Sequence, residues 1–431
     1  MPSPEIIEQA LCARSDPALA PPSEGWVLPW YEGRSLVNVP ATLARLLGAN
    51  LPAWAAPPLE DFYLEGLPRD RAHILLVLLD ALGYRQFLRL LAERPRCIWR
   101  RLAERGMLLP MTSVCPSTTA TALASLATGA EPIVHGLLGY ELWLREYGVL
   151  TQMLQLKPVY GTDDECLTEW GFVPEAFLPV PSLGQTLGPQ GITTVLFTPA
   201  VYIQSALSRI LYRGFSRIVG YTDVADLWLR AAQYFAQPPA ERSLSLVYFS
   251  GIDTAIHLHG SEGGVWEAQF DLVTRAFESH FYNRLTPAQR QRILLILVAD
   301  HGFVGTPIEA ALDADDDPVL RQESLIPYSG ESRLAYLHLL RGAEPAVLER
   351  LRATLGERFL LVEANHAISR GLFGHGTPGP ESLPRLGQAI ALARGNHYLD
   401  RQGKRFKLRG RHGGLLPEEM LIPWLAAPLD L

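Results

Sequence analysis

Cysteine is scarce: the 431 residues hold four, Cys12, Cys97, Cys115 and Cys166, widely scattered and without a CxxC pair. Such spacing excludes a disulfide scaffold and reads as reduced structural thiols in a cytoplasmic protein. Charge is also sparse, at 19% of residues, and the acidic excess leaves a net charge of −7. That balance argues against a nucleic-acid polymer as partner, since no broad basic face is available to hold one. No apolar run approaches the length that crosses a bilayer, and the first thirty residues show acidic positions and prolines in place of a basic start and an apolar stretch. Neither a membrane partner nor a secretory leader is expected. Internal repeats and low-complexity segments are missing too, which removes solenoids. What is present is an ordinary globular composition with 48% hydrophobic residues, long enough for one large α/β domain with an insertion or for two domains.

Three apolar runs stand out, at 73–80, 244–249 and 293–300. Nearly continuous runs of strand length mark strands buried on both faces of a parallel sheet. Each run leads to an aspartate, namely Asp80, Asp253 and Asp300. Another strand is expected at 192–197, with helices at 84–104, 120–127, 224–235 and 265–283. Strands alternating with helices predict an α/β fold with a mainly parallel central sheet and helices on both faces. Residues 1–70, rich in proline and aromatics, read as an N-terminal arm packed on a catalytic core at 71–312. An acidic run from Asp313 to Asp317 opens an expected small α/β insertion at 313–395, with strands at 333–339, 359–362 and 388–393 and a helix at 346–355. Residues 396–431 return to the core. The stretch 150–190, with Asp163, Asp164 and Glu165, reads as a less regular excursion over the site.

Chemistry concentrates first in MTSVCPSTTATALASLATG, residues 111–129. A helix of small residues begins there behind Pro116, Ser117, Thr118 and Thr119. Helix starts carry unpaired N–H groups and a positive dipole end, which suit an anionic substrate and a hydroxyl placed to attack it. Thr119 is the candidate nucleophile. Ser-Thr-Thr is equally the signature of an ordinary helix cap, and Thr118 is the alternative nucleophile one position away. Cys115 reads as packing behind this loop.

A metal constellation changes that balance. Two of the three aspartates come with a histidine, as Asp253-Thr-Ala-Ile-His257 and Asp300-His301, and His412 follows inside Arg-His-Gly-Gly. In open α/β sheets ligands bind beyond the carboxyl ends of the strands, so Asp80, Asp253 and Asp300 are expected to converge there with Thr119. Carboxylates gathered in one place repel unless cations separate them. A mixed imidazole and carboxylate set favours zinc, with manganese or iron as substitutes, and three Asp plus three His suffice for two divalent ions. The paired glycines after His412 are expected to bring backbone close to the site.

Asp80, the Pro-Ser-Thr-Thr segment, Thr128-Gly129 with Pro132 and His135-Gly136, Asp253-x3-His257, Ala299 to Gly302 and His412-Gly-Gly occur in the order seen in the alkaline phosphatase superfamily. The chain resembles its type I phosphodiesterase / nucleotide pyrophosphatase branch. The resemblance implies an alkaline phosphatase-like fold, with Asp80, Asp300 and His301 holding the metal that also contacts Thr119. It implies that Asp253, His257 and His412 hold the other metal. His135 matches the family's His-Gly and reads as a structural residue of the turn. Ala122 departs from the family, because eukaryotic-type nucleotide pyrophosphatases place an asparagine there, facing the phosphoryl oxygen.

The resulting expectation is a hydrolase of phosphodiester or pyrophosphate bonds, acting on a phosphate ester or nucleotide through a phosphothreonine. Phosphomonoesters, phosphonates and phosphoryl transfer use the same machinery, and a catalytically idle binding protein is the alternative class. Specificity is expected from 140–220, where Tyr202, Ser205, Ser208, Arg209, Tyr212 and Arg213 cluster, and from the insertion with His366, His375 and His397 in or near it. Arg209 and Arg213, one helical turn apart, either face phosphate or form an exposed charged face.

Overall fold

The protein is described by a computed structural model covering residues 2–16, 19, 21–160, 166–239, 241–401 and 408–430; Asp163, Asp164 and Glu165 lie outside the described residues. The apolar runs form the middle of a seven-stranded sheet. In chain order its strands are β1 (His73–Leu79), β2 (Met107–Thr112), β3 (Thr193–Pro199), β4 (Arg217–Tyr221), β5 (Ser243–Phe249), β6 (Ile293–Val298) and β7 (Leu421–Pro428). They lie in the order β2-β7-β6-β1-β5-β3-β4. Six strands run one way and β7 runs against both its neighbours, which is the mainly parallel sheet expected from the sequence. Every residue of β1, β5 and β6 is buried, and strands covered on both faces lose the polar alternation that solvent imposes. Pairing of Leu79 with Phe249 and of Leu78 with Val298 brings the carboxyl ends of these three strands side by side.

The single helix expected at 84–104 is two, Tyr84–Glu93 and Ile98–Arg105. Pro95 lacks an N–H and disfavours helical backbone in the residue before it, and Arg94 leaves the helical region at φ −124 and ψ 62.

A second sheet is antiparallel throughout. Its strands lie in the order Phe359–Glu363, Ala389–Ala393, Leu334–Leu337, Ser329–Gly330, Glu141–Leu144, Val149–Gln152 and Lys157–Pro158. Three of its seven strands therefore come from residues 141–158, part of which reads as irregular in the sequence. Strands of two to four residues are too short to leave an alternating pattern. Alternation is clear in the longer ones. Leu334, Tyr336, Ile390 and Leu392 face the large core, whereas Ala335, Leu337, Ala389 and Ala391 face a smaller one shared with helix Pro345–Leu355.

Residues before β1 contribute Ile7, Leu11, Trp26, Val27 and Tyr31 to the large core. They also hold the segment after β2. The Thr112 N–H donates to the Arg34 carbonyl at 2.8 Å, the Ser35 hydroxyl to the Ser113 carbonyl at 3.1 Å, and the Cys115 N–H to the Tyr31 hydroxyl at 3.1 Å. No helix among the described residues is long and apolar enough to cross a membrane.

Candidate active site

Helix Thr119–Thr128 begins directly after Thr118 and ends at Gly129, whose φ of 79 closes it in the left-handed conformation. Small side chains let it run through the core, with every residue from Ala120 to Thr128 buried. The ordinary-cap reading does not describe its start, because Thr118 makes no side-chain cap bond and the Ser117 hydroxyl donates to the Gly414 carbonyl at 2.8 Å. Thr119 Oγ1 instead lies 3.1 Å from His301 Nε2. Ala122 is buried within the helix and has no polar side-chain atom to offer. Cys115 is buried as well, and burial pushes its thiol well above the usual range, consistent with packing.

Asp80 follows β1 directly, and Asp300 lies two residues beyond β6. Asp253 is not at a strand end as the sequence reading places it; it sits in the first turn of helix Gly251–His259. One turn on, His257 Nε2 comes to 3.3 Å from Asp253 Oδ1. Asp300 Oδ1 accepts from the N–H groups of Ala81 at 3.1 Å and His301 at 3.0 Å. Ala81 pays for aiming its N–H there with a φ of 64, a left-handed conformation that costs a non-glycine residue about 1–2 kcal/mol. Asp80 Oδ2 accepts from the Tyr248 hydroxyl at 2.5 Å. Each aspartate is left with one buried oxygen that has no hydrogen-bond partner: Asp80 Oδ1, Asp253 Oδ1 and Asp300 Oδ2.

The histidines are prepared in the complementary way. His301 Nδ1 bonds the Gly302 carbonyl at 2.9 Å, His257 Nδ1 the Gly410 carbonyl at 2.9 Å, and His412 Nδ1 the Ser117 carbonyl at 3.1 Å. A carbonyl only accepts, so each Nδ1 carries the proton and each Nε2 lone pair faces the carboxylates. Asp80, Asp300 and His301 offer ligand atoms within 4.8 Å of one another, and so do Asp253, His301 and His412. His301 thus stands between two groups, its ring stacked on that of His412 with 3.8 Å between centroids. Unpaired buried carboxylate oxygens facing imidazole lone pairs fit divalent cations, and little else satisfies both. Burial, then the charges of Asp300 and Asp253, raise Asp80 well above the usual carboxylate range, against the pull of the Tyr248 hydroxyl. Burial also raises Asp253, opposed by His257 and His301, and lowers His412, with His301 and His257 acting in the same direction.

Backbone access explains the glycine after His301. A Cβ on Gly302 would stand 2.0 Å from the Glu418 carbonyl oxygen. Gly414 does bring backbone to the site, since its carbonyl accepts from the Ser117 hydroxyl just ahead of helix Thr119–Thr128. Gly414 backs onto an ion pair between Arg333 and Glu419, both fully buried, with contacts of 2.7 and 2.8 Å. Glu419 also accepts from the Gly414 N–H at 2.8 Å, so this pair fixes the loop that carries His412.

A cavity of about 510 Å³ opens beside Asp80, Thr119 and Asp253. Tyr202, Ser205, Ser208 and Tyr212 line it as the sequence suggests, joined by Tyr248 and Leu123. Thr118 does not line it. Arg209 and Arg213 are spent elsewhere: Arg209 Nε bonds Glu175 at 2.7 Å, and Arg213 donates to the carbonyls of Glu175 and Val180 at 2.7 and 2.6 Å. His366, His375 and His397 do not line it either. His135 is structural, taking the Leu137 N–H on Nδ1 and bonding Ser125 Oγ through Nε2, both at 3.0 Å.

Comparison with known proteins bears on the fold and the family. No curated protein matches by sequence. Among solved structures, murine ectonucleotide pyrophosphatase / phosphodiesterase 5, as an inactive form in complex with AMP, superposes with a TM-score of 0.63 at 14% identity, over 82% of this chain and 87% of its own. The human protein gives 0.63 at 16% identity over the same shares. Phosphonoacetate hydrolase from Sinorhizobium meliloti 1021, in complex with phosphonoformate, gives 0.61 at 15% identity, over 83% of this chain and 90% of its own. These likenesses show a shared fold. The profile of the type I phosphodiesterase / nucleotide pyrophosphatase family matches residues 74–415, most of the chain, and the protein therefore belongs to that hydrolase family of the alkaline phosphatase superfamily.

Proposed function

We propose that the protein hydrolyses phosphodiester or pyrophosphate bonds with two bound zinc ions, through a covalent phosphothreonine at Thr119. The observation that carries this reading is the Thr119 side chain lining a cavity, its hydroxyl 3.1 Å from His301 Nε2, beside three buried carboxylate oxygens that lack hydrogen-bond partners. Asp80, Asp300 and His301 would hold one ion and Asp253, His257 and His412 the other. When bound, such ions supply positive charge to the attacking hydroxyl and to the phosphoryl oxygens.

The chain's own residues do the rest. Thr119 Oγ1 attacks phosphorus, its proton passes to solvent, and the bond to the leaving oxygen breaks as that oxygen takes up a proton. Water then cleaves the phosphothreonine, restoring the hydroxyl and releasing the phosphomonoester. The first N–H groups of the helix have no carbonyl partner within it and stabilise charge on the transferring group. The cavity's volume lies within the range usual for small-molecule sites and suits a nucleotide-sized ester. Phosphonate cleavage is the second reading, favoured by the fold shared with phosphonoacetate hydrolase and by Ala122 in place of an amide donor.

Turnover of a chromogenic bis-aryl phosphate diester, a nucleotide pyrophosphate and phosphonoacetate by the zinc-loaded protein tests the reading. Diester turnover that disappears on chelation is expected. Thr119→Ala should abolish it while zinc content holds and the fold loses only about 0.5–1.5 kcal/mol, the net worth of one hydrogen bond. Full activity in Thr119→Ala, or transfer of the whole effect to Thr118→Ala, would remove Thr119 as nucleophile.

A further inference from the structure

We infer that Tyr248 is a positioning residue joining the metal-binding group to the substrate cavity: its hydroxyl sets which oxygen of Asp80 faces the ion, and its ring is cavity wall. The inference rests on the two-metal reading above. Tyr248 lies near the end of β5, paired in register with Leu78 of β1, two residues before Asp80. From there its hydroxyl donates to Asp80 Oδ2 at 2.5 Å. The other oxygen, Oδ1, is buried without a hydrogen-bond partner and lies 3.5 Å from His301 Nε2.

Asp300 is oriented differently. Its engaged oxygen is held by two backbone N–H groups, which persist whatever the side chains nearby. The Oδ2 of Asp80 has its bond from one side chain. A carboxylate with one oxygen engaged presents the other in a fixed direction; released, it rotates about Cβ–Cγ, and metal affinity falls as outer partners are lost. Tyr248 is itself anchored, since its carbonyl accepts from the Tyr221 hydroxyl at 2.8 Å. Its ring lies 6.4 Å from that of Tyr202, which also lines the cavity. A substrate group resting on these rings therefore bears on the side chain that holds Asp80.

The test is zinc titration in competition with a chromogenic chelator, on the wild type and Tyr248→Phe, each alone and in a His257→Ala background that weakens the other group. We expect Tyr248→Phe to lower one of the two stepwise affinities by about 10–100-fold, to leave the other unchanged, and to show the same fall in the His257→Ala background. Cobalt-loaded Tyr248→Phe should show an altered visible spectrum. With the ring kept, KM for an aryl diester should hold while kcat falls; Tyr248→Leu should raise KM as well. Two unchanged affinities in Tyr248→Phe would overturn the inference and leave the two-metal reading standing. Wild-type protein that takes up no zinc would overturn that reading first. Equal losses at both sites, or loss of fold in both the Phe and Leu variants by circular dichroism, would make Tyr248 a general structural residue and also overturn it.

Discussion

The side chains of Asp80, Asp300 and His301 are 0–2% exposed, whereas those of Asp253, His257 and His412 are 10–24% exposed. The first set grows out of the ends of β1 and β6, where backbone N–H groups hold Asp300, the Tyr248 hydroxyl holds Asp80 and the Gly302 carbonyl holds His301. The second is assembled from one turn of a helix and a loop whose position depends on Arg333 reaching Glu419 beside the second sheet. One group is part of the sheet edge; the other is fastened to it from outside. A set built into buried strand ends resists distortion because moving it disturbs the core, while a tethered set is only as firm as its tether.

Cutting the tether is the strongest way to break this comparison. Glu419→Ala leaves Arg333 as an unpaired buried charge, a loss of about 3–5 kcal/mol that thermal or denaturant unfolding should register. Zinc affinity should fall at the Asp253 group and hold at the Asp80 group. Equal losses would show that both groups depend on the tether. The same contrast predicts that graded chelation of the wild type releases one zinc equivalent before the other.

Acidity probes the carboxylates. Asp80 and Asp253 have raised pKa values in the metal-free fold, so the folded state holds their protons more tightly than the unfolded chain does. Their contribution is then present at low pH and lost as pH rises through the raised values. Metal displaces those protons. The rise in Tm on zinc loading should therefore grow as pH rises, and a rise that shrinks with pH would contradict the ligand assignment. Burial lowers His73 and His338 to about 4 and His135 to about 3, so their contribution is full above the usual histidine value and lost as pH falls toward those values. These three lie outside the ligand set and cancel in the difference between loaded and metal-free protein.

The smallest effect is expected at Ala81. Replacing it with glycine removes left-handed strain of about 1–2 kcal/mol and adds about 0.5–1 kcal/mol of backbone entropy to the unfolded chain. Ala81→Gly should therefore raise stability by no more than about 1.5 kcal/mol, and Ala81→Val should lower it. A destabilising glycine would mean that the turn beside Asp300 is not strained.

Legibility in the sequence followed the range of the interactions. The apolar runs of β1, β5 and β6 announced the sheet because burial on both faces writes itself into consecutive residues. Asp80, Asp253-x3-His257 and Asp300-His301 were visible because each is local to one strand end or one helical turn. The helical placement of Asp253 was missed although its i,i+4 spacing to His257 was the available signal. Arg333 and Glu419 left no signal, since partners 86 residues apart look separately like surface charges. Tyr248 reads in sequence as one more aromatic strand residue, and the Arg209 and Arg213 spacing said nothing of Glu175 and Val180 lying closer than the site.

The place of β7 governs when this protein can become an enzyme. β7 separates β2 from β6, and the Gly302 N–H beside His301 donates to the Glu419 carbonyl at 2.8 Å, just ahead of that strand. While the chain is being synthesised, Asp80 and Thr119 emerge hundreds of residues before His412 and the strand that seats it. During that interval β2 lacks its sheet neighbour β7, and the Asp253 group lacks His412. On the two-metal reading proposed above, the Asp80 group is complete once His301 has emerged whereas the Asp253 group waits for His412, so the ion it would hold is the last to load.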